Sequence, residues 1–435
     1  MVDGGTPQTR AAKVNWAGNH TYRAGTIHEP ASIDELQELV RRSPAIRALG
    51  TRHAFNDVTD SRGDLVSLRR LPRRLEIDKT EATVTIDGGL TYGELCGALD
   101  AAGLALHNLA SLPHISVAGS CATATHGSGN RHGTLATAVR GVSLVRADGE
   151  LAVFDSSSPD GALDGAVVGL GALGIATSLT LGLGPAAPMR QDVFEDLPFA
   201  GFGDRFDAVS ASGDSVSWFT DWSAPAFHQV WVKRRVDDRT GDDVPALAGT
   251  RRATVAHHPI PGYPAEACTS QLGSVGPWHE RLPHFRLDHR PSAGAELQSE
   301  YLMARSDAPA ALEALAAIAS RLAPATLVSE VRTVAADRHW LSPCTGRDTV
   351  AVHFTWIPDW AVVEPMLVEV ERALRPFAPR PHWGKLFSVP ADELRPRYPN
   401  RGRFVTLARS LDPDGKFRNP FVDAYVFGED VPGRI

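Results

Sequence analysis

The chain has little that would tie it to a membrane, a nucleic acid or an oxidising compartment. Its 435 residues include only four cysteines, Cys96, Cys121, Cys268 and Cys344. They lie far apart, without the C-x-x-C spacing of zinc or redox sites, and so read as free thiols in a reducing, cytoplasmic setting. No block of Lys or Arg occurs, and a formal net charge of -7 provides no field for nucleic acid or an anionic membrane. The opening MVDGGTPQTRAAK has no apolar h-region, so no secretory leader is expected. The longest apolar stretch, residues 165–184, has the length of a membrane span, but six glycines and three Thr/Ser residues interrupt it, and it reads as core. Internal repeats, low-complexity linkers and H-E-x-x-H metal spacing are also missing. What remains is an ordinary globular composition, 43% hydrophobic and 22% charged, suited to roughly two or three domains of about 100–200 residues and a small-molecule partner.

The chain reads as two regions. In the first, Ser32 and Glu35 have capping-box spacing ahead of a helix with Ile33, Leu36 and Val40 on one face. ATVTIDGG is a period-two strand, and Thr91 and Glu94 cap a second helix that stops at Gly103. Ile175, Thr177, Leu179 and Leu181 alternate with smaller residues as a half-buried strand does. That strand follows Gly169, Gly171 and Gly174, which spell G-x-G-x-x-G. A dinucleotide site needs a helix there, so these glycines are assigned to sharp turns or close backbone approach to a ligand. From about Gln191 to Tyr398 the texture changes to strands rich in Trp, His and Arg, interrupted by the helical APAALEALAAIASRLA. The final LDPDGKFRNPFV holds a turn and is expected to return to the first region.

Three features could carry chemistry. In IRALGTRHAFNDV, His53 sits just beyond a glycine corner, and the local sequence leaves core residue, metal ligand and proton shuttle all open. The stretch Asn108–Ala136, NLASLPHISVAGSCATATHGSGNRHGTLA, mixes glycines with small hydroxyls. It offers unhindered N–H and O–H donors to a diphosphate, although a solvated surface loop has similar composition. In the second region Glu330 and Arg332, His353 and Thr355, and Gln298 and Glu300 are each two apart, hence on one face of a strand. With His382 and Lys385 they could present donors and acceptors to a polyhydroxylated ligand; an exposed, ion-paired sheet face is the plainer alternative.

Taken together, NWAGN, RALGTRHAFN, SLPHISVAGSCATATHGSG, GLGALGIATSLTL, VGPWHERLPHFR, ELQSEYLM, EVRTVAADRHWLSP, RPHWGKLF and LDPDGKFRN resemble the alditol oxidases (xylitol and sorbitol oxidases) of the vanillyl-alcohol-oxidase-type FAD flavoproteins. The resemblance runs from about Asn15 to Phe421. It implies an α+β, two-domain protein: an FAD-binding domain over 1–187, a mixed α/β substrate-binding domain over 188–396, and a segment 397–435 that returns to the first domain. By the same resemblance FAD is attached covalently through His53, between neighbours Thr51, Arg52, Ala54, Phe55 and Asn56. Ala54 stands where the family often has serine. Ser111 is expected to touch flavin and substrate. Ser116, Gly119, Ser120, Thr123, Thr125, His126 and Gly127 are expected along the diphosphate and ribityl chain, with Gly174 and Ile175 by the adenosine. Gln298, Glu330, Arg332, His353, Thr355, His382 and Lys385 are expected to face the flavin ring.

The implied reaction is oxidation of the terminal alcohol of an alditol to the aldose, with O2 reduced to H2O2. Arg332 and Lys385 would stabilise developing alkoxide. Glu330, Ser111 and Thr355 would pair with substrate hydroxyls, Gln298 would bind substrate, and Glu330 and His353 would complete the catalytic group with Arg332 and Lys385. The expected partners are a small polyol and O2, with no metal, nucleic acid or membrane, for a monomer. An aldonolactone oxidase or dehydrogenase shares the H-W-G-K and E-x-R strings and is the alternative within flavoenzymes. A metal hydrolase on Glu330, His353 and His382, or a non-catalytic sugar-binding module, are those outside it.

Overall fold

Alternating apolar patterns build two separate sheet systems, and the site lies where they meet. The computed structural model describes residues 13–237, 241, 243–289 and 295–429; the segment read as lacking an apolar leader, residues 1–12, lies outside them. Strands β1 (Ile27–His28), β2 (Ile46–Ala48) and β3 (Asp64–Val66) form a small parallel sheet in the order β1-β3-β2. β4 (Leu75–Asp78) and β5 (Thr83–Asp87) belong to a five-stranded antiparallel sheet. β6 (Leu104–Ala105) pairs later with a short strand, and β7 (Val139–Val145), β8 (Leu151–Asp155) and β9 (Ile175–Gly182) complete the larger sheet in the order β4-β5-β9-β7-β8. β10 (Gly184–Pro185) closes on β6. In β9 every second residue, from Ile175 to Leu181, is buried, so the glycine triplet leads into a strand.

The helices of this region follow their caps. Thr91 and Glu94 make the full reciprocal box at the start of Tyr92–Ala101. At Ile33–Arg42 the Ser32 hydroxyl accepts from the Glu35 N–H, but the Glu35 carboxylate accepts from the Ala31 N–H rather than that of Ser32. Residues 401–411 and 420–427 pack back here: Phe404, Phe421 and Val426 share a core with Val84, Ile86 and Leu179. Arg47 fixes that return. Buried to 1% exposure, its guanidinium donates to the carbonyls of Val58 and Leu170 at 2.7 and 2.6 Å and to that of Phe417.

The second sheet comprises β11 (Met189–Pro198), β12 (Ser215–Thr220), β13 (Ala226–Arg235), β14 (Arg251–Arg252), β15 (Leu297–Ala304), β16 (Thr326–Val334), β17 (Thr349–Trp356) and β18 (Arg380–Pro381). Their order is β14-β11-β13-β12-β16-β17-β15-β18. Because side chains alternate between faces, Val331, Val352, Phe354, Trp356 and Tyr301 point to one side. There they pack with Phe206, Leu312 and Leu367 of the helices Phe202–Ser210, Ala308–Ala316 and Trp360–Leu374. The predicted helix over 308–323 breaks into Ala308–Ala316 and Ala319–Leu322. Residues between the apolar ones point the other way. The register sets Phe219, Glu330, His353 and Glu300 in one row across β12, β16, β17 and β15, and Val328, Thr355 and Gln298 in the next.

Candidate active site

The loop after β2 carries His53 to the seam between the sheets. Arg52 takes a positive φ of 65°, a left-handed conformation disfavoured for side chains with a Cβ, and it turns His53 into the cavity. The N-terminal NWAGN braces that turn. The Trp16 N–H donates to the Arg52 carbonyl at 2.8 Å, the Trp16 ring stacks on His53 at 5.5 Å, and Asn15 and Asn19 donate to the carbonyls of Ala54 and Phe55. The His53 imidazole lies 3.1 Å from the Thr51 hydroxyl, which itself accepts from the Ser116 N–H. Burial, aided by His114, pushes His53 down to about 4, so at neutral pH the ring is uncharged and its free nitrogen is nucleophilic.

Opposite that loop, the polar rows of β15, β16 and β17 form a continuous network. Glu300 accepts from Arg332 Nη2 at 2.5 Å and from Lys385 Nζ at 2.8 Å, and lies 3.4 Å from His126 Nε2. Burial would raise its carboxyl, but Lys385 and Arg332 hold it well below the usual range. Lys385 Nζ also donates to His353 Nδ1 at 2.7 Å, and His353 Nε2 is 3.1 Å from the Thr355 hydroxyl. Since burial and the neighbouring Lys385 keep His353 neutral, a lysine donating to Nδ1 leaves the ring proton on Nε2. That N–H donates to Thr355 and frees the threonine O–H to point at a ligand. Glu330 accepts from His284 Nε2 at 2.8 Å and lies 3.5 Å from Arg332 Nε. Each buried ion would cost several kcal/mol to desolvate alone; here every one has an opposite charge in contact.

One cavity of about 1380 Å³, including its mouth, is lined by Thr51, Arg52, His53, Ala54, Phe55, Ser111, Ser116, Gly119, Ser120, Thr123, Thr125 and His126 on one side. Gln298, Glu300, Glu330, Arg332, His353, Thr355, His382 and Lys385 line the other. An adjoining cavity of about 1600 Å³ shares Gly50, Thr51, Arg52, Thr59, Ser116, Gly119 and Thr123 and runs to Gly169, Gly171 and Gly174. At Gly174, with φ 147°, a Cβ would meet the Val145 carbonyl oxygen at 2.4 Å. The two adjoining chambers share a wall of glycine and small hydroxyls, with His53 on the lining of the first, a donor set that suits the diphosphate and ribityl chain of FAD. The polar stretch is not wholly a loop: Val117–Ala122 is a short helix preceded by Ser116.

Three expected cofactor residues lie elsewhere. Gly127 lines neither cavity; a Cβ there would meet the Leu109 carbonyl oxygen at 2.4 Å and Asn108 Oδ1 at 2.6 Å, so its small size serves chain packing. Ile175 is fully buried in the core with Leu36 and Phe417. Asn56 clasps the two sides together, donating to the carbonyls of Trp383 and Lys385 at 3.0 and 2.7 Å. Conversely, Glu300, the hub of the network, was legible only as the neighbour of Gln298. Trp16, His258 and His284 also line the cavity, and their long-range placement had no local signal beyond the NWAGN and WHERLPHFR strings. Among the described residues no group of three or more His, Cys, Asp or Glu side chains converges as a metal site would, and His353, His382 and Glu330 serve separate partners.

Two family models match the chain: an FAD binding domain over residues 25–155, which includes the His53 loop, and D-arabinono-1,4-lactone oxidase over 295–425, which includes every sheet residue of the network. The alditol oxidase of Streptomyces sp. (strain IKD472 / FERM P-14339) is 51% identical over 414 residues, covering 94% of this chain and 98% of the relative. The chain belongs to the alditol oxidase family. As a member of that family it is an FAD-dependent oxidoreductase of the vanillyl-alcohol-oxidase type. The L-gulono-1,4-lactone dehydrogenase of Mycobacterium tuberculosis (strain ATCC 25618 / H37Rv) is more distant, at 29% identity over 94% of this chain and 97% of its own. The fold extends further: a crystal structure of cholesterol oxidase from B. sterolicum superposes with a TM-score of 0.76 over 95% of this chain and 96% of that one, at 14% identity. No helix among the described residues is long and apolar enough to cross a membrane.

Proposed function

We propose that the protein oxidises the terminal primary alcohol of an alditol such as xylitol or sorbitol to the aldose, using FAD held covalently by His53 and reducing O2 to H2O2. Of the described residues, those up to 187 and from 397 onward would form the FAD-binding part, and those within 188–396 the substrate-binding part. The observation that carries this reading is the buried polar grid of β15, β16 and β17 facing the His53 loop across one cavity, in a chain 51% identical to an alditol oxidase. FAD, which the His53 loop and the stretch from Ser116 to Thr125 would hold, would supply the acceptor for the two electrons of the alcohol, with O2 as the final oxidant.

The protein's own groups bind, orient and polarise. Gln298, Glu330, Thr355 and Ser111 offer a mixture of acceptors and donors to successive hydroxyls. A buried polar group left unmatched costs about 1–3 kcal/mol, so the grid discriminates in favour of a polyol. Lys385 uses two of its three hydrogens on Glu300 and His353. The third is available to the reacting hydroxyl, and with Arg332 it favours negative charge as that hydroxyl loses its proton.

A second reading, oxidation of an aldonolactone, is supported by the lactone-oxidase match over 295–425. Steady-state oxygen consumption with xylitol and sorbitol against L-gulono-1,4-lactone separates them. Higher kcat/KM on the alditols is expected, and preference for the lactone would reverse the assignment.

A further inference from the structure

Two strands over from Glu330, on the same face of the sheet, lies a lysine that the reaction above does not use. Lys233 stands on β13 and is fully buried. Its ammonium has three hydrogens and meets three acceptors: the carbonyls of Leu282 and Pro283 at 2.6 and 2.8 Å, and His284 Nδ1 at 3.1 Å. His284 lines the cavity, and its other nitrogen, Nε2, is 2.8 Å from Glu330. The edges and faces of Phe219 and Trp231, with centroids 5.6 and 5.2 Å away, hold the ring in place. Burial, with the charge of Lys233 next, pushes His284 down to about 4, so the ring carries a single proton. An ammonium can only donate. It therefore claims Nδ1 as an acceptor and leaves the proton on Nε2, directed at Glu330. With the proton on Nδ1 instead, two donors would oppose each other at one end and a lone pair would face a carboxylate at the other.

We propose that Lys233 and His284 are positioning residues for substrate binding: the ammonium fixes His284 as its Nε2–H tautomer, and His284 then aims Glu330 at the cavity as an acceptor for the polyol. The inference rests on the polyol-binding role proposed for Glu330 above. The other titratable groups that face Lys233 are Cys268, Glu330, Arg332 and Arg281; burial outweighs the pull of Glu330 and brings the lysine down to about 7, so the ammonium is present at pH 6.

The test uses the flavin-loaded full chain with 15N-labelled histidine at pH 6. Long-range 1H–15N spectra identify the His284 signals by their loss in His284→Gln. An unprotonated Nδ1 and protonated Nε2 are expected in the native protein, and a shift towards the other tautomer in Lys233→Met. A native His284 protonated on Nδ1 overturns the proposal without recourse to any folding variant. The second arm is xylitol affinity from anaerobic rapid mixing. Lys233→Met should weaken it by about tenfold, the size of one lost net hydrogen bond, with a smaller change in the limiting reduction rate. Glutamine has its acceptor and donor fixed covalently, so His284→Gln should retain more affinity than His284→Leu. Adding Lys233→Met to His284→Gln should then cost less than about threefold. An equal loss from Lys233→Met in both backgrounds means the lysine acts as packing and overturns the proposal. If xylitol does not reduce the flavin at all, the assigned reaction fails, while the histidine spectra still decide this inference.

Discussion

His53→Ala should leave FAD releasable by acid. The imidazole nitrogen is the nucleophile the proposed covalent link requires, and no other side chain of the loop offers an imidazole. Acid precipitation followed by flavin fluorescence in the pellet is the check, and acid-stable flavin in the variant would place the link elsewhere. Lys385→Met should slow anaerobic flavin reduction by xylitol by on the order of 10²–10³, as when one preorganised donor is lost, while affinity changes much less. The pairing with Glu300 adds a pH signature. Burial lowers Lys385 and Glu300 raises it, so Glu300→Gln removes the opposing pull and Lys385 loses its proton at lower pH. The alkaline limb of the limiting reduction rate should therefore move to lower pH; an unmoved limb would mean another group sets it. Glu330, Arg332, His353 and Thr355 were legible in the sequence because i, i+2 spacing declares a shared strand face. Glu300 was visible as a polar neighbour of Gln298, but its role as hub depends on the register with His353 across β15 and β17. His284 and Lys233 meet across 51 residues, and no local pattern announces that contact.

At the scale of elements, the sequence specified the strands well and the close approaches poorly. β9, β16 and β17 follow from period-two alternation or from polar pairs set within apolar runs. Gly127, by contrast, belongs to a glycine-rich string whose composition suits an anion cradle, and only the tertiary packing shows it pressed against Leu109 and Asn108. Gly127→Val should consequently lower thermal stability even before flavin is added. A normal melting temperature in the flavin-free variant, with FAD uptake alone impaired, would instead return Gly127 to the cofactor site. Asn56 behaves similarly. Its two bonds tie the His53 loop to the loop that carries Lys385, so Asn56→Leu, which keeps much of the volume, should lower both the flavin incorporated per chain, read from visible absorbance, and xylitol affinity.

For the whole molecule, the buried histidines make acid the weak side of stability. Burial pushes His107, His284 and His382 down to about 3, 4 and 3, against about 6.5 when unfolded. Below about 6.5 the unfolded chain binds more protons than the folded one, so stability complete above that value is lost progressively as pH falls towards 4. Melting at pH 5 should come several degrees below melting at pH 7.5, with about 1 kcal/mol shifting a domain of this size by roughly 2–4 °C. Equal melting temperatures would show that these rings are solvated.

The bond from Arg47 to the Phe417 carbonyl spans 370 residues, and it orders events in time. At translation speeds of about 5–20 residues per second, roughly 20–70 s separate the emergence of these two partners. Through most of that interval Trp383 and Lys385, which Asn56 must clasp, are also still to be made. The His53 loop therefore spends roughly 15–65 s without these supports, beside a first sheet whose core still lacks Phe404, Phe421 and Val426. A growing chain can therefore complete the His53 site only late in its synthesis, once the stretch from Trp383 to Phe417 has emerged.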